Sequence, residues 1–468
     1  MPRIIIILVF ILARLTADAQ NHWNLPVMSK WDDDNIPSAS YGAYNECWGY
    51  HSAGREYAFL GSSKGTYFFD VTDPYTPVVI DYFPTKDTVA LVINKDYAVY
   101  DHYLYAVSDQ GQNSLQIFDL QYLPDSVVKV YDSDAISKRC HTLFVERDRL
   151  YMCYNTRPDN SYGPMDIYSL ANPLDPQYLG TVSHPGFFTV HEVHVKNDTA
   201  YCANGYNGLW IYNVANPAAP ALISILDVYP ESGYNHSAWL TDDSRTMVFT
   251  DENHGLGVKI YDITDVYDPQ PLAMIRSNLL QVADSLGSGG SIAHNPYIVG
   301  DLLFVSYYHD GVQVYNIADP ANPYLVGWND TYPQNTAYPS YGGCWGIYPY
   351  LPSGNIIASD MSNGLFVLDG SALFNFQPEI PVFPGLAFGQ NPVNSHVELY
   401  YSNSVGSQLN VEVFDLSGKK VAGQSFGLTA SGSEKFRLPV AQLATGFYVV
   451  RASDGSQSLI KKFLKSPY

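Results

Sequence analysis

Apolar and polar positions alternate in short runs through most of the chain, and the runs recur in sets of four. The set beginning at His294 is the clearest. His294–Val299 is a short apolar run, Leu302–Tyr307 is β-branched and aromatic, and His309-Asp310-Gly311 is a turn in which glycine can take positive φ. Val312–Ile317 then alternates with the period of two of a half-buried strand. Asp319-Pro320-Ala321-Asn322-Pro323 stops the ladder, because neither proline can donate a backbone N–H, and Tyr324–Trp328 reads as a further strand. Four short antiparallel strands per unit, repeated along a chain, predict a β-propeller.

Seven copies can be followed, registered on Trp48, Lys95, His141, His191, His236, His294 and Trp345 as the expected first residues of the inner strands. The fifth copy is followed by an insertion, Asn278–Ser291, before the sixth begins. The seventh runs out at Ile356–Asp369, where Gly370 stands in place of a proline break and an outer strand. A bare blade edge would invite aggregation. Asn24–Asp33 resembles the outer strand Asn322–Asp330, so residues 24–31 are expected to supply the missing strand. The fold expected is all-β: a seven-bladed β-propeller over residues 20–370, a proline-bearing linker over 371–384, and a small β-sandwich over 385–468.

Composition agrees with short strands and tight turns. The chain has 39 Tyr, 21 Phe, 35 Gly and 30 Pro, with only 15% charged residues. Its 46 acidic against 25 basic residues argue against nucleic acid or an anionic membrane as a partner. At the N-terminus, Arg3 precedes the apolar run Ile4–Ala13, and Ala17-Asp18-Ala19 is a small-x-small cleavage signal, so residues 1–19 read as a secretory signal peptide. The run falls short of the roughly 20 residues that span a bilayer, and no transmembrane segment is expected in the mature chain. Five cysteines make no disulfide framework, and their odd number leaves at least one unpaired.

The repeat Gly311–Gly327 resembles the LVIVD repeat of bacterial extracellular propellers. Cys47-Trp48-Gly49, Asn235–Thr241 and Trp345–Tyr350 resemble, more narrowly, the choice-of-anchor B family. That resemblance covers residues 24–370 and implies an exported surface protein without naming a reaction. Asn391-Pro392-Val393, Val413–Val421, Leu443–Arg451 and a basic end resemble the C-terminal sorting domain read by the type IX secretion system of Bacteroidetes. This second resemblance implies passage through the periplasm to a secreted or outer-membrane surface location, with the type IX machinery as a partner. The exported protein is expected to act as a monomer.

His141, His191, His236 and His294 stand at the register position of four consecutive copies. Inner strands of a propeller surround a central channel, so these residues are expected to form an arc near one mouth, with Trp48, Lys95 and Trp345 completing the ring. Imidazoles so placed could hold a divalent metal and make a metal-assisted hydrolase or similar enzyme. They could equally hydrogen-bond the backbone of neighbouring blades, and the propeller would then be a scaffold that binds an extracellular protein or glycan. The scaffold is the favoured reading and the enzyme its alternative.

Other motifs carry less. His191-Glu192-Val193-His194 is no zinc-protease motif, because that motif needs histidines four apart on a helix and strand residues three apart face opposite ways. Asp251–Gly255 and Asp109–Asn113 look like calcium loops but fall at expected hairpin turns, where Asp, Asn and Gly belong anyway. Trp210, Tyr206, Tyr307 and Tyr308 are read as core packing before ligand contacts. Cys47 and Cys344 each precede a register tryptophan, and if copies one and seven are neighbours they could form a disulfide. Cys140 with Cys153 is the competing pair, and buried free thiols are the other outcome.

Overall fold

In the computed structural model the described residues are 21–187, 189–277, 279, 290–335, 337–374, 385–388, 393, 395–402, 408–415, 418–427, 433–453 and 458–465. The expected signal peptide, nearly all of the 278–291 insertion and residues 375–384 of the expected linker lie outside them. The chain divides into two compact units, the first ending at Phe374 and the second beginning at Asn375.

The first unit is a β-propeller. Among the described residues its strands form seven antiparallel sheets, which we number as blades in chain order from Tyr44–Pro84 to Cys344–Leu368. The inner strands are Tyr44–Ser52, Lys95–Tyr100, Thr142–Glu146, Glu192–Lys196, Asn235–Leu240, Ala293–Val299 and Cys344–Tyr348. Each lies beside the next, and the last lies beside the first, so they surround one axis.

The loop between third and fourth strands is built by local side-chain chemistry. Asp73, Asn172, Asn216, Asp265 and Asp319 each accept a hydrogen bond from the backbone N–H two residues on, a turn that short polar side chains make without any distant partner. Gly311 closes the sixth blade's hairpin with φ 69°, and a Cβ there would stand 2.0 Å from the Asn329 carbonyl oxygen. Between sheets the core is aromatic and branched aliphatic, with Phe59, Phe68 and Phe118 buried between blades one and two.

The seventh blade takes its outer strand from the other end of the chain. Val27–Trp31 pairs antiparallel with Gly364–Leu368, through Val27 opposite Leu368 and Trp31 opposite Leu365. A further short strand, His22–Trp23, extends the sixth blade by pairing with Trp328 and Asn329. Trp31 packs on Tyr67 and Phe69 of the first blade with ring centroids 4.7 and 4.8 Å apart. At the same seam the Glu56 carboxylate accepts from the backbone N–H and the hydroxyl of Ser353, both at 2.7 Å. The first residues of the expected linker, Ser371–Phe374, instead form a helical turn that buries Leu373 against the sixth blade beside Gly327.

No disulfide joins Cys47 to Cys344; both are buried free thiols, as are Cys140, Cys153 and Cys202. The expectation assumed equivalent positions in adjacent strands. Cys344 opens its inner strand opposite Asp360, whereas Cys47 lies deeper in its own, opposite Leu60.

The second unit is a β-sandwich. One sheet orders Gly385–Phe388, His396–Ser402 and Ser433–Pro439; the other orders Lys420–Gly427, Gln408–Phe414, Gly446–Ser453 and Ser458–Lys465. Alternate residues of both sheets, including Val397, Leu399, Val411, Val413, Leu438 and Val450, meet in one core. No helix among the described residues is long and apolar enough to cross a membrane.

Two measurements check this description. Trp31→Ala should destabilise the propeller by about 3 kcal/mol in urea unfolding, because it strips the packing between the N-terminal strand and the first blade. Protein unfolded without reductant should be alkylated at all five cysteines, and recovery of a Cys47–Cys344 linked peptide would contradict the free thiols.

Candidate functional site

The inner strands bring the histidines together at the axis. Successive ring centroids lie 4.3 Å apart from His141 to His191, from His191 to His236 and from His236 to His294, and His294 continues to Trp345 at 5.2 Å. His236, His294 and Trp345 fall where the inner strand skips one ladder position, between Asn235 and Ser237, Ala293 and Pro296, and Cys344 and Gly346. A bulge re-aims a side chain that strict alternation would turn away. His141 and His191 reach the same layer from just ahead of their strands.

Trp48 and Lys95 do not belong to this layer. The Trp48 ring contacts Tyr297 and Tyr348, which stand three residues beyond His294 and Trp345. The layer positions in blades one and two are therefore Asn45 and Asn94, and the Asn94 amide donates to the His141 carbonyl oxygen at 2.6 Å. Lys95, one residue on, is buried, and burial lowers its ammonium pKa to about 8. First residues of strands were the wrong register because the inner strands do not all begin at the same depth.

Three positions along each strand lies a second, aromatic layer. Phe144, His194, Trp239 and Tyr297 follow one another in ring contact, with Tyr350 against Trp239 and Tyr297. His191 and His194, expected on opposite faces of one strand, both sit in axial layers because His191 precedes the strand. Tyr307 and Tyr308 are buried, Trp210 packs against His184 and Phe187, and Tyr206 is exposed.

Carboxyl groups share this space with the rings. Glu46, Asp96, Glu192 and Glu252 line the same axial cavity, of about 280 Å³, as the histidines, Trp48 and Trp239. Asp96 accepts from the backbone N–H groups of Tyr97 (2.8 Å) and Leu143 (2.6 Å). Glu192 accepts from the Ser237 hydroxyl and Glu252 from the Tyr308 hydroxyl, both at 2.6 Å. Glu46 accepts from the Cys47 N–H at 2.9 Å, and its carboxylate lies where a Cβ at Gly346 would be, 1.9 Å away. Burial raises the acids, Asp96 and Glu252 to about 7 and Glu192 to about 8, while Glu46 is pushed well up by burial and then by Asp96. Burial lowers the histidines, His294 to about 3 and His191 and His236 well below the usual imidazole range. The cavity thus holds neutral imidazoles beside carboxyl groups that exchange protons near neutral pH.

Glu252 and Asp109, set aside with the calcium-loop motifs as turn residues, are functional candidates. Asp109 Oδ2 sits 2.7 Å from His141 Nδ1, and Glu252 Oε2 lies 3.8 Å from His236 Nε2. The signal that could have found them is their shared position just after the second strand of a blade, at the level of the axial histidines. His191, His236 and Glu252 each offer one ligand atom within 4.8 Å of the others.

Residues 390–466 match the family model described as a secretion system C-terminal sorting domain. No curated protein matches the chain. Among solved structures, the WD40 repeats of RRP9 are similar at 12% identity and a TM-score of 0.48, covering 74% of this chain and 96% of that one. The periplasmic gluconolactonase of Pseudomonas aeruginosa is similar at 12% identity and a TM-score of 0.46, covering 84% and 98%. The sorting tail indicates handling by the type IX secretion machinery and a secreted or outer-membrane surface location.

The raised acids make stability depend on pH. Folded Asp96 keeps its proton up to about pH 7, whereas an unfolded aspartate releases it near 3.9, so the folded state binds more protons between these limits. Its contribution to stability therefore falls as pH rises through that window. In Asp96→Asn the slope of unfolding free energy against pH, measured in urea between pH 5 and 7, should lose a downward component of up to about 1.4 kcal/mol per pH unit.

Proposed function

We propose that this protein is an exported propeller that binds a small extracellular ligand, such as the terminal sugar of a glycan, in its axial cavity. One observation carries the reading: a single cavity is walled by aromatic rings, Trp48, Phe144 and Trp239, and by carboxyl groups, Asp96 and Glu192. Aromatic faces stack on the apolar face of a ring, and carboxyl groups exchange hydrogen bonds with hydroxyls. A volume of about 280 Å³ suits one ring-sized unit better than a protein surface. The LVIVD and choice-of-anchor B resemblance supports a surface role, and the sorting tail supplies the route.

A second reading, a metal-assisted enzyme, is favoured by the convergence of His191, His236 and Glu252 on one point of the same cavity. A glycan array probed with labelled, chelator-treated protein separates the two. Signal from a defined set of terminal sugars, reduced at least about tenfold in Trp48→Ala/Trp239→Ala, is expected for the binding reading, since a stacked ring contributes on the order of 1.4 kcal/mol. Equal signal in the variant would place the binding elsewhere, and no signal at all would favour the enzyme.

Export has its own test. Deleting residues 375–468 should leave the propeller in the periplasm while the full chain reaches the surface. Normal amounts of the truncated protein outside the cell would refute the sorting route.

A further inference from the structure

The carboxyl groups and aromatic rings of the cavity suit an organic ligand, but the histidine layer has a polarity of its own. His141 donates from Nδ1 to Asp109 Oδ2 at 2.7 Å, a nearer partner than the Asn94 amide nitrogen at 3.2 Å. Its Nε2 is then an acceptor. His191 Nε2 stands 2.8 Å from it and must donate. A neutral His191 therefore keeps a bare lone pair on Nδ1, and that atom is buried with no hydrogen-bond partner. The relay from Asp109 through His141 orients His191 in the way that a carboxylate or a second base orients a metal-ligating imidazole, fixing the tautomer and leaving the other nitrogen free.

The neighbouring groups face the same point. His236 is 3% exposed, and its Nε2 lies 3.8 Å from Glu252 Oε2. Tyr308 holds the other oxygen of Glu252, which leaves Oε2 toward the imidazole. Two neutral imidazoles and a carboxylate within 4.8 Å of one another come close to the spacing of about 3.3 Å between ligands of a tetrahedral ion with bonds near 2.0–2.1 Å. Side-chain adjustments of roughly 1 Å would close the difference. On His191 the unpartnered Nδ1 is the nitrogen that the relay leaves free, and on His236 the nitrogen nearest Glu252 is Nε2.

We infer that His191, His236 and Glu252 bind one divalent first-row transition metal at the propeller axis, with His141 and Asp109 as positioning residues. Imidazole-rich donors select zinc, iron, nickel or copper over magnesium and calcium, which prefer all-oxygen sites. The ion sits in the same cavity as the aromatic layer, so any coordination position left open faces the ligand space.

Titration calorimetry of untagged, chelator-treated full-length protein with zinc chloride tests the site. One equivalent of zinc per chain is expected, with binding weakened at least about 100-fold in both His236→Gln and Glu252→Gln, since each removes one of three ligands. Magnesium and calcium should not compete. Asp109→Asn leaves the ligands in place and should weaken binding about 10- to 100-fold without abolishing it. Circular dichroism and melting temperature of each metal-free variant establish that it is folded, and the cobalt(II) absorption of the wild type, compared with His51→Gln as a folded control at an exposed position outside the cavity, gives an independent readout. No stoichiometric zinc in the wild type, or unchanged affinity in both ligand variants, would overturn the site; unchanged affinity in Asp109→Asn would overturn the relay. Sugar binding in the absence of zinc is untouched by either result, so failure here and failure of the binding reading are distinguishable.

Discussion

Closure of the ring is the constraint on which the rest of the propeller depends. A blade of three strands ends in a row of unpaired backbone groups, and a chain that simply stopped at Leu368 would present that row to solvent. Val27–Trp31 pairs with it instead, so this N-terminal strand and the last blade become one sheet. The same segment also stitches blades together: His22–Trp23 extends the sixth, and Trp31 packs on the first. Residues far apart in sequence thus share one hydrogen-bonded unit, and loss of either end is felt at the other.

Closure also sets the chemistry of the axis. Once each inner strand lies between two others, their first residues are withdrawn from water together and must find partners among themselves. Backbone N–H groups and hydroxyls meet several of the carboxyl groups, and burial then keeps those groups protonated to near neutral pH instead of leaving charges in contact. His191, His236 and His294 respond in the opposite direction and stay neutral. Neutral imidazoles beside titrating acids are what an uncharged ligand or a metal ion can use, whereas a channel of fixed charges would favour only counter-ions.

The two axial layers depend on small irregularities in the strands. Without the skipped positions at His236, His294 and Trp345, alternation would turn either the histidine or the aromatic residue three places on away from the axis. With them, both face the cavity. Gly346 shows how tight the fit is, since the Glu46 carboxylate fills the place of its missing side chain.

Much of this was legible in the sequence for local reasons. Period-two runs, Asp-Pro breaks and turn glycines act over a few residues, so the strands, their hairpins and the outer strand supplied by residues 24–31 could be read directly, and so could the row of histidines. Whatever depends on the depth of one strand relative to its neighbour could not. Trp48 and Trp345 look equivalent in sequence, yet they lie in different layers because the first blade's inner strand begins at Tyr44. The same offset separates Cys47 from Cys344. Glu252 and Asp109 read as turn residues because their partners come from other strands, His236 on the strand beside Glu252 and His141 in the next blade. The sequence by itself determined the strands and the kind of groups near the axis; only the tertiary structure decided which of them meet, because contact across blades depends on register and bulges that no local pattern encodes.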